Sequence, residues 1–447
     1  MDIELPKKVK RIISVIQEAG YEAYAVGGCV RDSILGRQPD DWDIATSAVP
    51  CQIKELFPRT IDTGIQHGTV TVMLGKEGFE VTTYRIDGEY EDSRHPKDVT
   101  FTSEIGEDLA RRDFTVNAMA YNDRQGLVDL FGGMEDIRQG ILRCVGVPQE
   151  RFGEDALRMM RALRFSAQLG YTIDQETRQA IQQMAGNLVN ISAERIQTEL
   201  VKLVVSPHPD YLRDGWEMGI TKIILPEFDI CMETEQNNPH HCYTVGEHIL
   251  KSMKQVRADK VLRLTMLFHD MGKPVMKSTD EEGIDHFYGH VRRGEEIARQ
   301  VLKRLKFDNE TINQVCQLVL YHDYPFQPEA RSLRRAIHKI GNPFFPQLFE
   351  VKRADMLAQS LFQREEKSRL LAESEAVYKE ILQKQDCVSL RTLAVKGKDL
   401  IGLGMESGPK LGKVLEQLLE LVLENPEENT RERLLEQAEK LMIKVEK

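Results

Sequence analysis

Tyr21-Glu22-Ala23-Tyr24-Ala25-Val26-Gly27-Gly28-Cys29-Val30-Arg31-Asp32 and, shortly after, Asp41-Trp42-Asp43-Ile44-Ala45 decide how this chain folds. The apolar run Tyr21 to Val26 predicts a short strand, and Val30 to Leu35 a short helix. Two glycines between them, Gly27 and Gly28, let backbone approach a triphosphate, because no Cβ intervenes. Asp41 and Asp43 flank an outward-facing Trp42, and on an extended strand residues two apart share a face. Two neighbouring carboxylates repel unless a cation sits between them. Magnesium suits that place, since it takes oxygen ligands and keeps room for substrate phosphates. A lone Asp-x-Asp is more often a polar turn; behind a Gly-Gly turn, a metal site is expected.

Outward from this stretch, Lys7 to Ala19 has helical spacing at Val9, Ile12, Ile13 and Ile16. Pro50 to Phe57 predicts a helix with proline in its first turn. Thr69–Leu74 and Phe79–Tyr84, separated by Gly75-Lys76-Glu77-Gly78, predict a hairpin. Arg85 to Pro96 is a charged, Gly- and Pro-punctuated segment expected to be a mobile loop. In Arg111-Arg112-Asp113-Phe114-Thr115-Val116-Asn117-Ala118 the two arginines suit triphosphate oxygens, and Asp113 suits a ribose hydroxyl. A basic pair alone is usually a solvated face; the full string is far more specific. Asp129 to Gly133 is expected to turn and close a first domain.

Phe152 to Leu169 predicts one helix carrying Glu154, Asp155, Arg158 and Arg161 on its polar face. Asp155 and Arg158, at i and i+3, suit an intrahelical salt bridge or a nucleobase template. A carboxylate accepts from the exocyclic amine of cytosine or adenine, and a guanidinium donates to the ring nitrogen beside it. Uracil and guanine would leave those groups unpaired. Ser192 is placed to cap a helix from Glu194 to Val204, whose Arg195 is expected to brace the template helix.

These motifs, in this order over residues 20 to 205, closely resemble class II tRNA nucleotidyltransferases, CCA-adding enzymes of the polymerase β-type superfamily. The resemblance implies template-independent building or repair of the tRNA CCA end. CTP and then ATP would be held against Asp155 and Arg158, with metal at Asp41 and Asp43. One ion would activate the tRNA 3′-hydroxyl and the other steady the departing pyrophosphate. It also implies a third carboxylate at Glu80 and nucleotide contacts from Gly27, Gly28, Arg31, Arg111, Arg112, Asp113, Asn117 and Arg161. In that family the segment matching Arg85 to Arg94 helps switch from CTP to ATP. Asp87, Asp92 and Arg94 are all present, which favours full CCA addition. The related bacterial poly(A) polymerases typically carry a Gly-Arg-Arg-Phe string that this sequence lacks.

Residues 239 to 360 hold most of the histidines. His248, then His269-Asp270 at a predicted helix end (Val261 to Phe268), then a distant Asp355 form a divalent-metal pattern, with His290 and His322 between. With His-Asp-Met-Gly-Lys-Pro it resembles an HD domain. That implies Ni2+, Mn2+ or Mg2+ at His248, His269, Asp270 and Asp355 and hydrolysis of phosphate esters, or an HD fold used only to grip tRNA. The glycines and proline of Gly402 to Pro409 precede a helix Lys410 to Glu424, as expected of a tRNA-binding tail or a helical hairpin.

The expected class is thus α+β, a small mixed β-sheet head followed by an all-helical neck, HD body and tail. The expected boundaries are 1–137 for the nucleotidyltransferase head, 138–235 for the neck and nucleobase-recognition domain, 236–360 for the HD domain and 361–447 for the tail. A length of 447 residues suits several domains. Seven cysteines without Cys-x-x-Cys spacing suit reduced thiols in a cytosol. No run near eighteen apolar residues and no leader pattern occur, so a cytoplasmic location and no membrane partner are expected. A net charge of −11 is weak counter-evidence to tRNA, because phosphate binding needs only a local basic surface. Alternatives are a poly(A) polymerase or A-adding enzyme, and an HD phosphohydrolase with a nucleotide-sensing head. A tRNA chaperone without chemistry is disfavoured by the intact carboxylates, and the oligomeric state stays open.

Overall fold

The computed structural model describes residues 2–88 and 99–445, and residues divide into two compact units, Met1–Asp229 and Ile230–Lys447. The expected head and most of the neck fall in the first unit. HD body and tail fall in the second.

In the first unit, helix α1 (Lys7–Glu18) buries the predicted stripe Val9, Ile12, Ile13 and Ile16. It covers one face of a seven-stranded mixed sheet. The strands are β1 (Ala23–Val26), β2 (Ile44–Thr46), β3 (Thr60–Gly64), β4 (Thr69–Leu74), β5 (Glu77–Thr83), β8 (Met119–Asn122) and β9 (Gly126–Asp129). Their order is β3-β4-β5-β2-β1-β8-β9. All neighbours are antiparallel except β2 and β5, which run parallel with Ile44 opposite Val81. Ile44 and Val81 join the core beneath α1 and helix α3 (Pro50–Leu56), with Ile53. Tyr24, Val26 and Ala45 belong to the opposite face, with Tyr84, Leu109 and Val145. Side chains alternate along a strand. Asp43 and Glu80, one residue before the Ile44–Val81 pair, therefore belong to this second face.

Asp41 and Asp43 precede β2 rather than lying in it, and Trp42 is partly buried against the core instead of facing outward. Arg85–Asp87 is not loop but strand β6, paired with β7 (Val99–Phe101). The Asp92 and Arg94 of the expected switching segment, and the side chain of Asp87, lie outside the described residues.

The predicted helix Phe152–Leu169 is two helices, α6 (Pro148–Glu154) and α7 (Leu157–Leu169), interrupted at Asp155, whose φ and ψ are −143° and 104°. Asp155 Oδ1 accepts from the backbone N–H of Leu157 at 3.0 Å. A short acidic side chain that satisfies the amides of a helix start competes with helical continuation at that residue. Helix α7 packs on α9 (Ala193–Val204), where Arg164 Nε donates to Glu199 Oε2 at 2.5 Å. The residues are 6% and 5% exposed, and the Arg164 guanidinium lies 3.6 Å from the Phe165 ring centroid.

The second unit is almost wholly helical, with the histidines and carboxylates of interest on helices Val245–Gln255, His290–Arg304 and Phe345–Ala358 or just past the ends of Lys260–Phe268 and Asn309–Tyr321. A separate apolar core in the tail is built on Val414, Leu418, Val422 and Leu434. Buried Arg334 donates to the carbonyls of Leu423 and Glu424 at 2.8 and 3.1 Å, ending helix Pro409–Glu424 with a positive charge. No helix among the described residues is long and apolar enough to cross a membrane.

Both tryptophans, Trp42 and Trp216, lie in the first unit, so their fluorescence reports its unfolding. Removing one partner of a buried pair strands the other charge, so Glu199→Ala should cost about 3–5 kcal/mol in urea denaturation. An unchanged urea midpoint would contradict a stabilising role for the pair.

Candidate functional site

Gly27 ends β1 with φ +83°, and a Cβ there would meet Arg112 Nη1 at 2.8 Å. The glycine thus makes room for a guanidinium beside the carboxylate edge, where the positive φ already excludes most side chains. At Gly28 the nearest atom to a Cβ would be Arg31 Nη2, at an ordinary 3.6 Å.

Both arginines of the Arg-Arg-Asp string are held by one acid the sequence motifs did not single out. Asp108, fully buried in helix α4 (Ile105–Ala110), accepts from Arg111 Nη2 at 2.7 Å and Arg112 Nη2 at 3.2 Å. Burial would raise its pKa, but the two guanidiniums outweigh that and hold it below the usual range. The available signal was spacing, since Asp108 lies three and four residues before the pair.

Asp43 is an exposed side chain whose pKa is nevertheless raised by the desolvating walls around it and by Asp41, with Arg112 opposing. A carboxylate pushed toward protonation by burial and by a neighbouring carboxylate suits a cation. Among the described residues, Asp41, Asp43 and Glu80 do not form a cluster of three ligand atoms within 4.8 Å. Two carboxylates with triphosphate oxygens meet the usual magnesium demand without a third.

Behind this edge runs a polar chain. Arg31 is buried, donates from Nη1 to Asn117 Oδ1 at 2.5 Å and pairs with Asp32 at 2.9 Å. Asn117 Nδ2 donates to Asp113 Oδ1 at 3.2 Å, beside the Phe114 N–H at 2.9 Å. Asp113 Oδ2 takes Arg161 Nε and Nη2 at 2.8 and 2.6 Å. All four acceptor positions of Asp113 are occupied, so a ribose hydroxyl would have to displace a protein donor. Burial opposes ionisation of Asp113, but Arg161 and Asn117 bring its pKa down to about 2.

The intrahelical pair between Asp155 and Arg158 does not form. Asp155 Oδ2 accepts from Arg195 Nη2 at 2.6 Å, so Arg195 braces the carboxylate. Arg158 pairs with Glu154 and donates to the carbonyls of Arg151 and Arg111 at 3.2 and 3.1 Å. Each Asp155 oxygen keeps one acceptor position, and Arg158 keeps its Nε–H and one Nη2 hydrogen for a base edge. At the start of the expected switching segment, Arg85 donates to His67 O at 2.6 Å.

In the second unit, His248, His269, Asp270 and Asp355 come together, as the sequence pattern requires. His248 Nε2 lies 3.1 Å from His269 Nε2, 2.9 Å from Asp355 Oδ1 and 3.4 Å from Asp270 Oδ2. Both Nδ1 atoms face backbone carbonyls, those of Ala358 at 3.3 Å and Met266 at 2.7 Å. A carbonyl only accepts, so Nδ1 carries a proton in each ring, and in the neutral form Nε2 is bare. Two bare nitrogens so close require a proton or a cation between them. Burial lowers the His269 pKa, but Asp270 and Asp355 outweigh it and raise it. Sequence reasoning missed Lys273, whose Nζ lies 2.7 Å from Asp270 Oδ2, and His241, whose pKa burial and Lys273 push down to about 3.

Residues 23–143 match the family model "Poly A polymerase head domain", residues 170–232 "Probable RNA and SrmB- binding site of polymerase A", and residues 277–438 the second domain of tRNA nucleotidyltransferases. A CCA-adding enzyme of Lactiplantibacillus plantarum is 55% identical over 200 residues, 45% of this chain. That match covers 49% of the relative, so the chain spans about half the length of several curated relatives it matches. A CCA-adding enzyme of Levilactobacillus brevis is 35% identical over 405 residues, 90% of each chain. The chain belongs to the CCA-adding enzyme family. The structure of the Bacillus stearothermophilus CCA-adding enzyme in complex with CTP matches 99% of this chain and 98% of its own, with a TM-score of 0.73 and 30% identity. A Thermotoga maritima CCA-adding enzyme complexed with tRNA shares the fold at a TM-score of 0.59 and 20% identity. Divalent-metal use goes with this nucleotidyltransferase family.

Within this CCA-adding family member, Asp113 makes a pH-dependent contribution. Its folded pKa, near 2, is below the unfolded value of about 3.9. The stabilisation is therefore complete above pH ~4 and is lost as pH falls toward ~2; linkage puts it on the order of 2–3 kcal/mol. Asp113→Asn should be less stable than the parent at pH 7, and the gap in urea unfolding should narrow on acidification. A gap independent of pH would remove the ionised carboxylate from the account.

Proposed function

We propose that this protein adds CCA to the 3′ end of tRNA without a nucleic-acid template, using CTP and then ATP. The observation that carries this reading is the carboxylate edge of Asp41 and Asp43 beside two arginines anchored on Asp108. It occurs in a chain whose full length follows the fold of a CCA-adding enzyme in complex with CTP.

Asp41 and Asp43 would hold magnesium, which when bound supplies charge to activate the tRNA 3′-hydroxyl and steady the leaving pyrophosphate. Glu80, on the Asp43 face by register, would orient that hydroxyl and accept its proton. Arg111 and Arg112 would draw the triphosphate into line, fixed in place by Asp108 rather than by Asp43. Asp155 would accept from the exocyclic amine of cytosine or adenine while Arg158 donates to the adjacent ring nitrogen. Arg195 holds that carboxylate in position, and Gly27, Gly28, Arg31, Asn117 and Arg161 shape the pocket around it. Arg85 and the segment after it, including Asp87, Asp92 and Arg94, would change the pocket from CTP to ATP. The division into head, neck, HD-type body and tail at 137, 235 and 360 belongs to the same proposal, as does a cytoplasmic site of action.

A second activity is favoured by the His248, His269, Asp270 and Asp355 cluster. These residues would hold one divalent cation, nickel, manganese or magnesium, for hydrolysis of a phosphate ester.

The deciding assay gives the purified protein magnesium, all four nucleotides and a tRNA transcript lacking its last three residues, and sequences the 3′ ends. Ends that read CCA and stop are expected; a long A tract would instead place the protein with poly(A) polymerases. Asp41→Ala should abolish incorporation while tRNA binding persists. Arg195→Ala should admit UTP at least tenfold more readily relative to CTP, because losing the brace on Asp155 should cut its discrimination by ~1.4 kcal/mol or more, the free energy of a factor of ten. Unchanged nucleotide selectivity in that variant would separate Arg195 from base choice.

A further inference from the structure

Phe165 lies in α7, four residues after Arg161 and next to Arg164, and its ring is buried among three guanidiniums. Their central carbons lie 3.6 Å from the ring centroid for Arg164, 5.2 Å for Arg31 and 5.3 Å for Arg161. Each cation has its own acid. Arg31 pairs with Asp32 at 2.9 Å, Arg161 with Asp113 at 2.6 Å and Arg164 with Glu199 at 2.5 Å. Like charges gathered on one side chain repel one another: burial pushes the Arg164 pKa down, Glu199 opposes this, and Arg161 adds to it. An aromatic ring offsets such repulsion, because the negative face of its π system attracts guanidiniums without competing for their acids.

Two of these cations reach the same carboxylate. Arg161 donates directly to Asp113 Oδ2, while Arg31 donates to Asn117 Oδ1 and Asn117 Nδ2 donates to Asp113 Oδ1. Phe165, Arg161, Asp113, Asn117 and Arg31 therefore form a closed ring of contacts, with Phe165 joining the two arginine ends. The remaining donor to Asp113 is the N–H of Phe114, whose own ring packs edge-on against Phe165 with centroids 5.9 Å apart. Every donor on Asp113 is thus backed, directly or through Arg31, by one apolar side chain.

This bears on sugar choice. The longest of the four bonds to Asp113 is the 3.2 Å one from Asn117. A ribose hydroxyl donating to Oδ1 would replace it with a shorter, charge-assisted O–H···O⁻ bond, and a deoxyribose lacks the donor. The exchange requires Arg161 to keep Oδ2 and Arg31 to keep the displaced Asn117 in place. With an aliphatic residue at 165 both guanidiniums lose the π face that fixes them. Asp113 is then one side chain away from a second cation that is free to take the hydroxyl's place.

We propose that Phe165 is a positioning residue for ribose recognition. It holds Arg161 on one oxygen of Asp113 and, through Arg31, Asn117 on the other, so that a ribonucleotide's hydroxyl exchanges with Asn117 alone. This rests on the nucleotidyl-transfer reading above and adds the residue that enforces ribonucleotide over deoxyribonucleotide.

The test supplies the full chain with magnesium, a tRNA transcript lacking its last three residues, and either CTP or dCTP as the sole nucleotide. It reads the ratio of the two kcat/KM values, which does not depend on the fraction of protein correctly folded. Phe165→Leu should lower the CTP-to-dCTP ratio about fivefold or more, the size expected for losing cation–π contacts to two guanidiniums. Phe165→Tyr keeps the ring and should stay within about twofold of the parent ratio. A packing defect alone would slow both nucleotides together. An unmoved ratio in Phe165→Leu, or the same fall in Phe165→Tyr, would therefore overturn the role of Phe165 and leave the nucleotidyl-transfer reading intact. A parent chain that uses CTP and dCTP equally well would overturn it as well. No incorporation of CTP by the parent would overturn that reading and this inference with it. If Phe165→Leu is inactive, Phe165→Met, flexible and without a ring, decides by the same ratio.

Discussion

A site built from carboxylates and guanidiniums must not neutralise itself. Asp43 and Arg112 lie close enough to influence each other, and direct pairing would close the site to metal and triphosphate alike. A buried acid prevents this. Asp108 takes Arg111 and Arg112 together, so each arginine is held in place by an acid other than Asp43. The same device recurs nearby. Glu154 engages Arg158, Arg195 engages Asp155, and Arg161 engages Asp113, so each of these groups is held by a protein partner of opposite charge.

The sheet supports this arrangement through one parallel contact in an otherwise antiparallel order. Pairing β2 with β5 in register puts Ile44 and Val81 into one core and turns the residues before them to the other face. Had the register slipped by one residue, Glu80 would face the packed side beneath α1. Apolar packing therefore decides where the charge appears.

The second unit meets the opposite problem. His248, His269, His290 and His322 each turn Nδ1 toward a backbone carbonyl, so their Nε2 atoms face the carboxylates between them. Lys273 lies against Asp270 at 2.7 Å. In the first unit protein cations hold protein anions in reserve; in the second, imidazoles and carboxylates crowd together around Asp270.

Much of this was legible in the residues themselves. The strand before Gly27, the stripe of α1, the hairpin of β4 and β5 and the grouping of His248, His269, Asp270 and Asp355 follow from spacing and residue type. These are local periodicities or short motifs whose chemistry has few other uses. Spacing did not reveal the break at Asp155, the strand at Arg85–Asp87 or the partner of Arg158. Each depends on a competition: a cap against helical continuation, a distant strand against a loop, Glu154 against Asp155 for one guanidinium. Sequence alone determined which functional groups the chain carries and in what order. Only the tertiary structure decided which charges neutralise one another and which stay available, because that choice rests on burial and on distances between residues far apart in the chain.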